Sequence, residues 1–450
     1  MLPILKKGLQ KIGVDKAIAY SSLARIIQAG GGVLTIFFIV ANLTSEEQGY
    51  YYTFGSILAI QIFFELGLGG IITQYVAHEV AHLHLDPNNN LSGEIKYKSR
   101  LSSLLHLIIK WYLIMSILFL ISVIIFGVYY FSTYGVSDNI NWKLPWVLLC
   151  ISASINLFLS PFPAFIQGFG DVKYIALMRL ISQVISILIV WTILLTGGKL
   201  YASAFSSLMI SIISVIFILR KSYLKIFYSL WNRVISETIN YKKEIFPYQW
   251  KIALSWISGY FIFQMFNPVL FAYSGAKIAG QMGMTLTAIN GIMALTVNWT
   301  STKIPFWSAN ISRKEYNQLD ESYNNTLISS TLVCITCVIV FILCLLTLLH
   351  LYEPLYNRFL PLWLSSILSI TIIFNNIINI WATYLRCHKK EPFLIQSITI
   401  GILSALSTFF MGKYVNVNAV IIGYTLITIF ISLPLSYYIF KTKRLEYHSE

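Results

Sequence analysis

Apolar residues run along this chain in long blocks separated by short polar stretches. Twelve blocks stand out, at 18–41, 50–76, 104–131, 144–168, 174–196, 200–219, 252–274, 279–301, 325–349, 360–384, 393–412 and 419–440. Each is near the roughly 20 residues that a helix needs to cross a bilayer. In lipid every backbone polar group must be satisfied within its own segment, so the blocks predict helices. The pairs within 174–219 and 393–440 are the least cleanly separated. The expected fold is all-α and integral to the membrane, with about twelve transmembrane helices.

The longest connection, 220–251, reads RKSYLKIFYSLWNRVISETINYKKEIFPYQWK and divides the helices into six and six. Its seven basic residues alternate with large apolar ones, which suits one or two helices lying in the membrane interface. The predicted organisation is an N-terminal lobe over 1–219, an amphipathic linker over 220–251 and a C-terminal lobe over 252–450. A faint repeat agrees with two lobes. EEQGYYYTF at 46–54 opens the second helix, AKIAGQMGMTLTA at 276–288 opens the eighth, and a shift of 234 residues superposes Gly49 on Gly283. Parallel six-helix repeats are one of the plans on which transporters are built.

Composition confirms the class and adds an orientation. The chain is 57% hydrophobic and 11% charged, against about 25% charged in soluble domains. With the N-terminus in the cytoplasm, 24 of the 32 basic residues fall on that side and five on the other, at Lys143, Lys199, Lys277, Arg358 and Lys413. This asymmetry predicts cytoplasmic termini. It also accounts for the net charge of +14 without nucleic acid as a partner. Lys6, Lys7, Lys11 and Lys16 form a basic lead-in with no cleavage pattern of a signal peptide. The five cysteines suggest no disulfide framework, and the C-x-x-C at Cys334 and Cys337 lies within an apolar helix, where packing is the expected role.

Ionisable residues inside a bilayer cost about 2.5–3.5 kcal/mol each on insertion scales, which marks them as functional candidates. Here they are Arg25, Glu65, Lys110 and Arg179. At a rise of about 1.5 Å per residue, Arg25 lies about 10 Å and Arg179 about 8 Å from the cytoplasmic end, with Glu65 about 16 Å from it. Lys110 reads as a lysine that snorkels to the interface. Arg25 and Glu65 either form a structural ion pair or face a cavity. In both cases the cluster keeps a positive excess, which suits an anion, and guanidinium forks suit phosphate. The C-terminal lobe offers amides instead: Asn267, Asn290, Asn298, Asn375, Asn376 and Asn379, each either bonded between helices or facing a cavity.

One motif points elsewhere. QYVAHEVAHLHL, from Gln74, contains H-E-x-x-H, the signature of zinc proteases, with His78 and His82 as ligands and Glu79 as base. A zinc site needs a third protein ligand. Glu65 is thirteen residues away on the same helix, so only loop residues such as Asp171 or Glu244 could supply one. The alternative reading is a helix terminus. Histidines there complement the negative end of the dipole, and Pro87 follows as a stop.

The lobes, the basic bridge and several segments together resemble the bacterial polysaccharide repeat-unit flippases of the multidrug/oligosaccharidyl-lipid/polysaccharide (MATE-like) exporter superfamily. The segments are LTSEEQGYYYTFGSI, GAKIAGQMG, KIPFWSANISRKEYNQLD and FIQGFGDVKY. The resemblance implies a flippase that moves an undecaprenyl-diphosphate-linked oligosaccharide from the cytoplasmic to the periplasmic leaflet of the bacterial inner membrane. It also implies HEVAHL as a family feature of the end of helix 2, and a central cationic cavity onto which Arg25 and Arg179 map by position. The expected substrate-binding set is Arg25, Arg179, Glu65, Asn290, Asn298 and Asn376, with no catalytic residue and no metal. No cofactor is expected beyond an unspecified coupling ion, and polysaccharide polymerase or assembly proteins are the expected partners. The competing functions are a multidrug exporter of the same superfamily and, further off, a membrane enzyme such as a glycan polymerase or a zinc protease.

Overall fold

A computed structural model of the chain describes residues 16–85, 91–135, 140–232, 236–388 and 390–449. Lys6, Lys7 and Lys11 of the lead-in, Pro87, and residues 136–139 lie outside the described residues. The helices are α1 (Lys16–Asn42), α2 (Ser45–Leu58), α3 (Ile62–Glu65), α4 (Leu68–Val80), α5 (Ile95–Tyr134), α6 (Lys143–Leu159), α7 (Pro161–Gly168), α8 (Val172–Leu195), α9 (Tyr201–Ile218) and α10 (Lys221–Trp231). They continue as α11 (Phe246–Phe263), α12 (Phe266–Ser274), α13 (Ala276–Ser301), α14 (Ile304–Arg313), α15 (Tyr316–Leu351), α16 (Glu353–Tyr356), α17 (Leu362–Arg386), α18 (Leu394–Tyr414), α19 (Val417–Ile427) and α20 (Leu433–Ser449). Among the described residues, eleven helical stretches are long and apolar enough to cross a membrane. The fold is all-α, as the apolar blocks predict.

The structure differs from the sequence expectation at three places. The second block is interrupted between α2 and α4, and the seventh, 252–274, is broken at Gln264 and Met265 into α11 and α12. That break leaves eleven long spans where twelve blocks were read. A short antiparallel hairpin, β1 (Leu83–Leu85) with β2 (Leu91–Gly93), follows α4, pairing Leu83 with Gly93 and Leu85 with Leu91. The alternation of Leu and His over Leu83–Leu85 has the period of a strand, which a helix-only reading passes over.

The contacts fall into two compact units. One comprises Met1–Ala24, Ile60–Tyr129 and Asn141–Trp256; the other comprises Arg25–Ala59, Tyr130–Ile140 and Ile257–Glu450. In the first unit α9 packs against α6 and α8, and α4 against α7. The linker helix α10 buries Tyr223, Ile226 and Leu230 on one face and exposes Leu224, Tyr228 and Trp231 on the other. Large apolar side chains on an outward face, among lysines, are the pattern of an interfacial helix.

In the second unit the most extensive pairing is α2 with α13. Helix α2 opens on a capping box. The Thr44 hydroxyl accepts the Glu47 N–H at 3.1 Å, and the Glu47 carboxylate accepts the Thr44 N–H at 2.9 Å. Glycines let the two backbones touch. A Cβ on Gly49 would lie 2.0 Å from the Ala276 carbonyl oxygen, and one on Gly283 would lie 2.3 Å from the Tyr52 Cβ. The glycines that the faint repeat superposes therefore sit on opposite sides of one seam. Tyr50 packs edge-on to Phe271 at 4.8 Å and closes the seam with Phe54 and Phe131. A second core gathers Trp307, Tyr323, Trp381, Tyr384, Phe393, Phe440 and Tyr447 from α14, α15, α17, α20 and the segment after α17.

Candidate functional site

Glu65 ends α3, where the helix loses its regular path. Leu66 (φ 50°) and Gly67 (φ 68°) both adopt the left-handed region before α4 begins. The conformation suits Gly67 in particular, and a Cβ there would lie 2.5 Å from the Ile252 side chain. Glu65 is half-buried and accepts a hydrogen bond from Gln61 Nε2 at 2.8 Å. Glu65 belongs to the first unit and Arg25, considered with it from the sequence, to the second. A carboxylate beside irregular backbone at membrane depth is tolerated where it is enclosed by protein or lines a wet cavity. Broken helices of this kind supply binding groups in secondary transporters.

Arg25 belongs to the other unit. It is half-buried on α1 and donates from Nη1 to Ser301 Oγ at 3.0 Å, at the C-terminal end of α13. That end carries the negative pole of the helix, which favours a cation. Asn290 is exposed on α13. Asn298 lies in the same helix, with its side chain outside the described residues. Asn376 is fully enclosed on α17 and exchanges hydrogen bonds with Ser330 of α15 at 3.2 and 3.3 Å, a bond between helices. Asn267 likewise donates to Ser56 at 3.0 Å, and Asn375 to Tyr424 at 2.9 Å. Arg179 is exposed on α8 in the first unit, which also holds Glu65. Of the six candidates, Arg25, Asn290, Asn298 and Asn376 thus fall in one unit and Glu65 and Arg179 in the other.

The HEVAH segment occupies the end of α4. Glu79, only 2% exposed at its side chain, takes Arg100 Nε at 3.0 Å, and the same guanidinium reaches Glu244 at 2.6 Å. Tyr75 donates to the Glu244 carbonyl at 2.5 Å. His82 stacks on Tyr97 at 4.1 Å, while His78 is 74% exposed. Among the described residues no third acidic, cysteine or histidine side chain joins these two histidines. Glu79 is thus placed as the buried half of an ion pair that fastens three segments of the first unit. Glu244 lies in the turn before α11. Burial pushes its carboxyl up, but the Arg100 guanidinium and the Asn240 N–H outweigh this and hold it below the ordinary carboxylate value. Asp171 of the FIQGFGDVKY segment caps α8 through the Tyr174 N–H at 3.3 Å and accepts the Tyr223 hydroxyl from the linker helix.

Sequence reasoning missed one cluster. Gln48 donates to the carbonyls of Gly280 (2.8 Å) and Arg358 (3.1 Å), while Arg358 donates to Leu43 O at 2.7 Å and Gln48 Oε1 at 3.3 Å. It ties the opening of α2 to α13 and to the loop before α17. Arg358 stood out from the sequence only as one of few basic residues on its side; its partners are more than 300 residues away.

No curated protein sequence matches the chain. Solved structures do. An inward-facing multidrug resistance MATE family transporter of the MOP superfamily has a TM-score of 0.68 at 13% identity, covering 94% of this chain and 95% of that one. A Vibrio cholerae MATE transporter gives 0.61 at 12%, covering 96% and 97%. A MOP superfamily transporter from Pyrococcus furiosus, described as having a binding pocket of reverse polarity, gives 0.60 at 14%, covering 98% of each chain. At such identities the likeness establishes the fold, which is that of the MATE transporters. The sequence itself matches the profile described as "Polysaccharide biosynthesis protein" over residues 14–301, and the chain belongs to that family of membrane proteins.

Proposed function

We propose that the protein is a flippase that carries an undecaprenyl-diphosphate-linked oligosaccharide from the cytoplasmic to the periplasmic leaflet of a bacterial inner membrane, with both termini cytoplasmic. The observation that carries this reading is the match to the polysaccharide biosynthesis family over 14–301 on a transporter fold. The charges within the spans support it. Arg25 and Arg179 outnumber Glu65, and a positive balance favours a diphosphate over a cationic drug. Arg25 and Arg179 bind the diphosphate in this reading, Glu65 orients or gates that site at the helix break, and Asn290 and Asn298 serve the glycan side. Asn376 supports α17 through Ser330. Polymerase and assembly proteins would receive the product.

A multidrug exporter is the second reading, because the structural neighbours are described as such. Deleting the gene separates the two. Loss of surface polysaccharide with accumulation of lipid-linked repeat units supports the flippase, whereas unchanged polysaccharide with new drug sensitivity supports the exporter. Within the flippase reading, Arg25→Ala and Arg179→Ala should insert normally and export poorly, since charge-assisted hydrogen bonds are worth about 1.5–3 kcal/mol each. Lysine at either position should restore part of the activity by keeping the charge without the fork. Well-expressed alanine variants that export at wild-type levels would place the diphosphate elsewhere.

A further inference from the structure

A pocket of about 610 Å³ opens in the second unit between the end of α13, α14 and the first turns of α15. It is built from Trp299, Lys303, Phe306, Gln318, Glu321 and Asn325, with serine and threonine hydroxyls along its floor. Trp299 and Phe306 are 43% and 46% exposed. The side chains of Lys303, Gln318, Glu321 and Asn325 have no hydrogen-bond or ion-pair partner among the described residues. Gln318, Glu321 and Asn325 recur at helical spacing, so they share one face of α15.

We infer that this pocket binds the sugar moiety of the transported lipid-linked glycan; the inference rests on the flippase reading above. Three features of the lining select that ligand class. Lys303 and Glu321 cancel, so the pocket lacks the cationic excess that a phosphate requires. Amides and a carboxylate offer both donors and acceptors, as hydroxyl-rich rings need. Two open aromatic faces present the negative π surface against which the C–H face of a pyranose packs. The volume falls in the range of about 300–1,000 Å³ typical of small-molecule sites. Trp299 is two residues from Ser301, which holds Arg25. The pocket therefore lies at the same end of the unit as a proposed diphosphate ligand, on the side where the glycan is loaded.

The test uses the full-length protein in lipid nanodiscs and two probes. One is the repeat-unit oligosaccharide released from the host's surface polysaccharide, without lipid or phosphate; the other is undecaprenyl diphosphate without sugar. Trp299→Ala, Asn325→Ala and Glu321→Gln should each weaken glycan binding about three- to tenfold, the effect of losing one stacking or hydrogen-bonding group. None should alter binding of undecaprenyl diphosphate. If Trp299→Ala does not fold, the other two variants carry the test. Glycan affinity unchanged in these variants overturns the pocket. So does a wild-type protein that binds undecaprenyl diphosphate and no glycan, and either result leaves the flippase reading standing if deletion still abolishes surface polysaccharide. Normal polysaccharide in the deletion strain overturns that reading and this one together.

Discussion

A guanidinium held between two carboxylates, as Arg100 is between Glu79 and Glu244, is worth most to the partner that water cannot reach. Glu79 is that partner. Arg100→Ala should leave its charge buried and uncompensated, costing about 3 kcal/mol, and Glu79→Gln added to it should recover much of the loss. Thermal unfolding of the purified protein in detergent checks both. The same cluster sets a pH response. The Glu244 pKa is depressed by folding, so its contribution is complete above the unfolded value of about 4.3 and is lost as pH falls through the folded one. Glu244→Gln should flatten the decline in unfolding temperature in that acid window; an unchanged decline would show that another carboxylate governs it. At this scale the sequence displayed the residues without their partners. H-E-x-x-H was visible, but Arg100 lies 21 positions from Glu79 and Glu244 lies 144 from Arg100. No local pattern links them.

Helices show the complementary case. Apolar length decides where a chain crosses lipid, so the blocks found as α1, α6 with α7, α8, α9, α17 and α18 were legible to within a few residues. The interruption between α2 and α4 was not. GLGG within an apolar run is compatible with continuous helix, and what makes Gly67 necessary is Ile252, 185 positions further along the sequence. The α2–α13 seam was half legible, because the repeat aligned Gly49 with Gly283 but did not show that the two helices touch. Its energetics can be isolated by two substitutions in one helix. Gly49→Ala drives a methyl into backbone that cannot yield, at 2.0 Å from the Ala276 oxygen, and should cost about 3 kcal/mol or more. Gly55→Ala meets nothing within 4 Å and should be neutral, or stabilising by up to about 1 kcal/mol through helix propensity. Equal unfolding temperatures for the two variants would mean that the seam does not hold the unit together.

Across the whole molecule the balance of basic residues carries the proposed orientation, and the proposed loading direction depends on it. In the proposed orientation, argued from the 24-to-5 asymmetry, the turn at Asn240 is cytoplasmic and the turn at Asn416 is outside. Both positions suit chemical labelling. Each asparagine is exposed and caps a helical segment through its side chain, Asn240 to the Lys243 N–H at 3.2 Å and Asn416 to the Ala419 N–H at 3.0 Å. Replacing either cap should cost about 1 kcal/mol, which the fold can absorb. The exposed Cys344 and half-buried Cys337 and Cys387 would first be changed to serine, leaving Cys150 and Cys334 buried. In intact cells a membrane-impermeant maleimide should then label Asn416→Cys and not Asn240→Cys, and opening the cells should make both reactive. The opposite pattern would invert the protein. Arg25 would then lie near the periplasmic leaflet, where no lipid-linked unit is waiting to be captured, and the direction of transport proposed for this chain would fall with it.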